Sequence, residues 1–286
     1  MTAVLEYVQE YVDRGTDRLG LHIYPEPHGN GDAPLVVICP AMGVGASYYR
    51  PLAADLHAAG LAVAVADHRG TGTSTPAPSR ASAYGYLELA QDVGAVLDAL
   101  KARRDGRRTL LLGHSLGGQT ALLHLALTGD RTVDGLVLVA TGLPYWRVYP
   151  GPRSLGVLAM SQTIAATAAL LGVWPGWGFG GRQARGVMRD WAYTARTGRF
   201  PILGGVDPNA ALAGITTPVL AISVDNDQYT PEETLDYLCA ILTAAPVRRA
   251  RYTTKEAGAP LNHFRWIRAA KPLAARIAAF ATTTAR

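Results

Sequence analysis

The chain has 286 residues, of which 49% are hydrophobic, which is enough for one large folded domain with a substantial core. Its formal net charge of +5 comes mainly from scattered arginines. No aromatic residues interleave the one basic run, at 101–108, so a nucleic-acid-binding protein is not expected. The N-terminus lacks the basic, apolar and small-residue segments of a secretory signal, which favours a cytoplasmic location.

Short apolar strands alternate with longer helical patterns along most of the chain. This rhythm predicts an α/β fold with a mostly parallel central sheet flanked by helices. The predicted strands cover residues 35–39, 62–66, 110–112, 135–140, 219–224 and 249–253. The predicted helices cover residues 49–59, 86–100, 116–127 and 264–280, with a further helix that begins at 231.

The stretch from 141 to 212 breaks this rhythm and is predicted to be a mainly helical inserted cap. The core would then comprise residues 1–140 and 213–286. Residues 154–181 carry no charge and include a segment long enough to span a bilayer. Serine, glutamine and threonine dilute this segment, so we expect a buried or half-buried cap helix and no stable membrane insertion.

A nucleophile motif follows one of the predicted strands. Residues 113–117 read Gly-His-Ser-Leu-Gly, between the apolar run at 110–112 and a helical pattern. This strand, turn and helix context is what a G-x-S-x-G nucleophile elbow requires, because the sharp turn exposes the serine hydroxyl. The motif predicts Ser115 as the catalytic nucleophile.

A serine hydroxyl needs a base to take its proton and an acid to orient that base. In folds with this elbow, the acid and then the histidine follow the serine along the chain. His263 is the histidine that comes after the last predicted strand, so it is the predicted base. Asp225 and Asp227 both lie in the loop that follows the strand at 219–224. Asp227 is favoured as the acid because it lies further into the loop, with Asp225 as the alternative.

Acyl transfer also requires hydrogen-bond donors for the oxyanion, normally the backbone N–H after the nucleophile and one from an earlier loop. The residues in those positions are Leu116 and Met42, the latter in the small-residue loop at 39–45. No histidine or cysteine spacing indicates a metal site, and no cofactor is expected.

The predicted cap is basic. Seven arginines and a single acid, Asp190, lie between residues 141 and 206. One hypothesis is that Arg182, Arg185 and Arg189 attract an anionic acyl substrate. The alternative is that the arginines hold the cap together by stacking on its tryptophans.

The elbow, the Asp-His-Arg-Gly-Thr-Gly-Thr-Ser run at 67–74, the acid before Pro231 and the late His263 together resemble the α/β-hydrolase superfamily. Residues 40–43, 48–53, 180–181 with 190–191, and 263–265 are similar to a bacterial esterase-like subgroup related to serine aminopeptidases and lysophospholipases. Pro-Ala at 40–41 departs from the His-Gly pair common in the oxyanion loop of that superfamily, and Asn262 replaces a glycine often found before the histidine.

This resemblance implies hydrolysis of an ester, thioester or amide through an acyl-serine intermediate, without a cofactor. The expected function is therefore a serine hydrolase that cleaves an ester or thioester of a small-molecule or carrier-bound acyl substrate. Two alternatives stay open. One is an acyltransferase that uses the same acyl-enzyme, and the other is a ligand-binding protein with little turnover.

Overall fold

The computed structural model describes residues 5–27 and 31–283, so both ends of the predicted core lie outside the described residues. Within them, ten strands cover Val8–Arg14 (β1), Asp17–Ile23 (β2), Leu35–Cys39 (β3), Ala62–Ala66 (β4), Thr109–His114 (β5), Gly135–Val139 (β6), Val173–Trp174 (β7), Gln183–Ala184 (β8), Val219–Val224 (β9) and Val247–Tyr252 (β10).

Ten α-helices in the same described residues cover Arg50–Ala58 (α1), Tyr86–Ala99 (α2), Lys101–Arg104 (α3), Leu116–Thr128 (α4), Arg153–Leu171 (α5), Arg185–Thr197 (α6), Pro208–Ala213 (α7), Glu232–Cys239 (α8), Thr254–Ala257 (α9) and Lys271–Thr283 (α10). Shorter 3-10 helices cover Ala46–Tyr49, Trp146–Val148 and Arg265–Ala269. The predicted helix at 264–280 is therefore two elements, the last of these 3-10 helices and α10.

Eight strands form one sheet in the order β1-β2-β4-β3-β5-β6-β9-β10. The β1–β2 hairpin is antiparallel and β2 pairs antiparallel with β4, whereas the other neighbours are parallel. This confirms the predicted α/β fold with a mostly parallel sheet. The hairpin was not predicted. Val12 is the one buried residue of β1, and a strand this exposed shows no alternation of apolar and polar residues.

Helices cover both faces of the parallel part of the sheet. On β3, Val36 and Ile38 pack into a buried cluster with α1 and α10. Leu35 and Val37 belong to the cluster on the opposite face, with α2 and α4. A strand buried on both faces is apolar along its whole length, which explains why such strands were recognisable in the sequence. The carboxyl ends of these parallel strands all open on one edge of the sheet.

The segment between β6 and β9 holds α5, α6, α7 and the two-stranded β7–β8 sheet. The boundaries of this segment as a cap, from residue 141 to residue 212, stay a prediction. Among the described residues, α5 is the helix with the length and apolar composition of a membrane span, and 17% of its most apolar window is buried. Its fully buried residues are Ser161, Ile164 and Ala168, and the others are intermediate or exposed.

Candidate active site

Ser115 forms the turn between β5 and α4. Its φ of 55° and ψ of −119° lie in a region that side chains rarely adopt, which costs about 1–3 kcal/mol and persists only where the surroundings enforce it. The neighbouring glycines make the turn possible. A Cβ on Gly113 would lie 2.2 Å from Gly118 Cα, and one on Gly117 would lie 1.9 Å from the Cys39 carbonyl oxygen. The geometry is that of the predicted nucleophile elbow.

The structure brings His263 and Asp227 together in a buried pair. His263 Nδ1 lies 2.8 Å from Asp227 Oδ2, and the two side chains are 5% and 1% exposed. Because a carboxylate only accepts, Nδ1 carries the proton and donates it, which leaves Nε2 as the nitrogen available for proton transfer. Asp227 also accepts hydrogen bonds from Tyr229 N, Thr230 N and Thr230 Oγ1, so its orientation is fixed.

Asp225 is engaged elsewhere. It accepts hydrogen bonds from Arg251 Nε at 2.8 Å and from Thr254 N at 2.9 Å. The Thr254 N–H, followed by Arg251, holds the pKa of this carboxyl below its ordinary value. Between the two aspartates, Asn226 adopts a φ of 57°, which turns the chain. The structure therefore places Asp227, and not the alternative Asp225, beside the histidine.

Asn262 shapes the turn that presents His263. Its side-chain Oδ1 accepts the N–H groups of Phe264 at 3.0 Å and Arg265 at 2.8 Å. An asparagine that bonds to backbone two and three residues on is a common way to fix a turn. Asn262, which stands where the superfamily often has a glycine, thus fixes the turn with its side chain.

Ser115 and His263 line the same cavity, which has a volume of about 620 Å³. The Ser115 hydroxyl makes no hydrogen bond with any residue that the structure describes. The predicted oxyanion residues Met42 and Leu116 also line this cavity. Aromatic side chains form much of the remaining wall: Tyr149, Phe179, Trp191, Tyr229 and Phe264. A cavity of this size is ordinary for a small-molecule site.

Hydrogen bonds fix the oxyanion loop on either side of Met42. The Pro40 carbonyl accepts from His68 Nε2 at 2.7 Å, and the Ala41 carbonyl accepts from the Val44 N–H at 3.1 Å. The Ala41 N–H donates to Tyr49 Oη at 2.8 Å. Within the described residues the Met42 N–H has no such partner, so it remains available to a ligand, as do the N–H groups of Gly43 and Gly45.

Tyr49 joins the oxyanion loop to the elbow, which the sequence analysis did not predict. Its hydroxyl accepts the Ala41 N–H and also forms a hydrogen bond with His114 Nδ1, 2.8 Å away. His114 is fully buried, and its ring centroid lies 4.9 Å from that of His263. Burial, followed by the nearby His263, lowers the pKa of His114 well below its ordinary value of 6.5. His114 therefore stays neutral.

The cap reaches the oxyanion loop through a contact between glycines. A Cβ on Gly43 would lie 2.2 Å from the Gly180 carbonyl oxygen, and one on Gly180 would lie 2.6 Å from Met42 Sδ. Both residues have positive φ, 70° and 65°. The turn at 176–181 also contributes Gly176, Gly178 and Gly181 to the cavity wall. No spacing in the sequence indicated that this turn packs on the loop.

The three cap arginines of the anionic-substrate hypothesis lie outside the cavity lining. Arg182 and Arg185 donate to the carbonyls of Pro78 and Arg80, and Arg189 pairs with Asp190 at 2.8 Å. Arg182 and Arg185 thus tie the cap to the segment at 78–80, whereas Arg189 pairs with its neighbour in α6. Stacking, the alternative hypothesis, is seen at Arg147, whose Cζ lies 5.1 Å from the Trp146 ring centroid.

In the described part of the chain, no group of three or more histidine, cysteine or acidic residues is arranged to hold a metal ion. Both cysteines are unpaired thiols. Burial raises the pKa of the Cys39 thiol to about 12 and that of Cys239 to about 11, so neither is a ready nucleophile.

Comparison with known proteins gives consistent results. A family model described as serine aminopeptidase, S33, matches residues 32–255, a range that includes Ser115 and Asp227 and ends before His263. The rhodomycin D methylesterase DauP of Streptomyces sp. (strain C5) is 32% identical over 231 residues, which cover 70% of this chain and 77% of that protein.

Two solved structures share the fold. Est1E from Butyrivibrio proteoclasticus, described with bound ferulic acid, superposes with a TM-score of 0.66 at 17% identity and covers 96% of this chain and 99% of its own. A thioesterase domain from the curacin biosynthetic pathway gives 0.61 at 18% identity and covers 97% and 99%. The chain is a hydrolase with the α/β-hydrolase fold, and it belongs to the serine aminopeptidase S33 family.

Proposed function

We propose that this protein hydrolyses carboxylic esters through an acyl-enzyme formed on Ser115. The observation that carries the proposal is that Ser115 and His263 line the same cavity. Ser115 has a strained backbone and a hydroxyl without a hydrogen-bond partner among the described residues, and the buried Asp227 orients His263. Both residues are needed, because a hydroxyl is a weak nucleophile until a positioned base removes its proton.

In the first half of the reaction, Ser115 Oγ attacks the ester carbonyl while its proton passes to His263 Nε2. Asp227 stabilises the imidazolium that results. The N–H groups of Met42 and Leu116 bind the oxyanion. The tetrahedral intermediate then expels the alcohol, which takes the proton from His263. In the second half, water gives its proton to His263 and attacks the acyl-serine, which releases the acid and restores Ser115.

One observation favours an oxygen ester as substrate. The relative DauP is named a methylesterase and is 32% identical over most of the chain. The mainly apolar and aromatic cavity suits an oxygen ester or a thioester, because neither group has ionised atoms to desolvate. A thioester would react by the same steps. The cytoplasmic location, the small or carrier-bound acyl substrate and the absence of stable membrane insertion stay predictions.

The proposal is tested by labelling with a fluorophosphonate, followed by intact mass and peptide mapping, and by a panel of methyl and aryl esters. We expect a single adduct on Ser115, and we expect Ser115→Ala to abolish both labelling and ester turnover, with kcat about 10⁶-fold lower. A folded wild-type protein that neither labels nor turns over esters would overturn the proposal. Added alcohols would reveal acyl transfer as an increase in new ester relative to free acid.

A further inference from the structure

Arg153 differs from the other cap arginines because it lines the cavity that holds Ser115 and His263. It is the only lysine, arginine, aspartate or glutamate among the described residues that line this cavity. The cavity wall therefore carries one fixed positive charge and no carboxylate. Arg153 was not among the three arginines chosen in the sequence analysis.

Arg153 is held in place, yet its hydrogen-bonding edge is free. Its Cζ lies 5.9 Å from the ring centroid of Tyr149, whose hydroxyl donates to the Tyr229 carbonyl at 2.7 Å. This contact leaves the in-plane N–H donors of a guanidinium available. Arg153 makes no ion pair and no hydrogen bond with any residue that the structure describes.

The surroundings add to the positive charge. Arg153 is the first residue of α5, and the first turn of that helix contains no acidic residue. The start of a long helix carries partial positive charge of its own, which an aspartate or glutamate there would normally balance. An unbalanced guanidinium at an apolar cavity is most stable when an anion of the ligand pairs with it, since the low local dielectric strengthens that pairing.

We infer that Arg153 is a specificity residue that selects esters carrying a second, anionic group, a carboxylate or a phosphate. This inference rests on the proposed function. The aromatic part of the cavity would hold the body of the substrate, the ester carbonyl would lie at Ser115, and the anion would meet the guanidinium fork in a bidentate contact. Substrate charge, and not only chain length, then determines which esters react.

The test compares matched substrates that differ only in that charge. One series contains monomethyl esters of dicarboxylic acids of increasing chain length, each paired with the uncharged primary amide of the same length. A second pair, an acyl thioester of phosphopantetheine and of dephosphorylated pantetheine, separates phosphate from carboxylate recognition. We expect kcat/KM at least about tenfold higher for the charged member of one of these pairs, through a lower KM.

Arg153→Gln should remove this preference, so that kcat/KM for the charged member falls to about that for its uncharged partner. Arg147→Gln removes the same charge from an exposed residue outside the cavity lining, and it should retain the preference. Arg153→Lys should keep part of it, because lysine retains the charge but not the fork.

Equal kcat/KM for charged and uncharged members in every pair would overturn the inference while ester hydrolysis stands. A preference that survives in Arg153→Gln would also overturn it. If no ester is turned over, calorimetric titration of Ser115→Ala with the monomethyl esters and their uncharged amide partners gives an answer independent of catalysis. Tighter binding of the charged ester that is lost in Ser115→Ala/Arg153→Gln would support the inference, and equal binding of the two partners would contradict it.

Discussion

The core and cap sides of the cavity are held in different ways. On the core side, Ser115 follows β5 and Asp227 follows β9, and hydrogen bonds fix both the aspartate and His263. On the cap side, the wall at 176–181 is largely glycine backbone, and few residues of α5, which also lines the cavity, are fully buried. Substitutions on the core side should therefore change kcat, whereas those on the cap side should change selectivity.

After the loss of Ser115 itself, the largest effect should come from the orienting acid. Asp227→Asn keeps the shape of the pair but no longer stabilises the correct histidine tautomer, and we expect kcat to fall by about 10⁴-fold. Asp225→Asn is the matched control two residues away, and it should leave kcat within about threefold, because Asp225 bonds to Arg251 and Thr254. Steady-state kinetics with a methyl ester measures kcat for the two variants. Equal decreases in kcat would contradict Asp227 as the residue that orients His263.

A smaller effect, of about 10²-fold in kcat, is expected for Gly43→Ala, where the two sides meet. The new Cβ would lie 2.2 Å from the Gly180 carbonyl, so the loop that carries Met42 must move, and a shift of about 1 Å costs this much. Gly205→Ala is the control, since Gly205 also has positive φ, 81°, but nothing within 4 Å of its Cβ position. Similar kcat values for the two variants would show that the contact does not position the oxyanion loop.

The smallest effect concerns stability and pH. His114 has a lowered pKa in the folded protein, so below pH 6.5 the unfolded chain binds a proton that the folded chain does not. Unfolding free energy should therefore fall as the pH drops below 6.5, by up to about 1.4 kcal/mol per pH unit from this one group. Urea unfolding at several pH values between 5 and 7 measures how the unfolding free energy depends on pH. This dependence should be weaker for His114→Asn than for the wild-type protein. An identical dependence would contradict a neutral, buried His114.

Local patterns predicted the parts of the site that depend on short stretches of sequence. The elbow at Ser115 depends on glycines two residues before and after it, and its strand is apolar on both faces. The chain order of acid and base follows from the resemblance. The choice between Asp225 and Asp227 was open, because it depends on Asn226, whose φ of 57° sets the direction of the loop.

Contacts between distant segments were beyond the reach of the sequence. The hydroxyl of Tyr49 bridges Ala41 and His114, which are 73 positions apart in the chain, and a tyrosine in a helical pattern is more often a core residue. The position of Arg153 likewise depends on how α5 crosses the cavity. The seven arginines of the predicted cap have the same charge, and only the fold distinguishes the one that lines the cavity.

The glycine-rich turn at 176–181 has a consequence for how this enzyme can change. Gly178, which lines the cavity, has no atom within 4 Å of its Cβ position. A residue that tolerates its φ of 70°, such as asparagine, therefore meets no neighbour at Cβ. Such a change would alter the shape offered to substrates while Ser115, Asp227 and His263 stay in place. The sequence is therefore only a few mutations away from enzymes with the same chemistry and a different range of substrates.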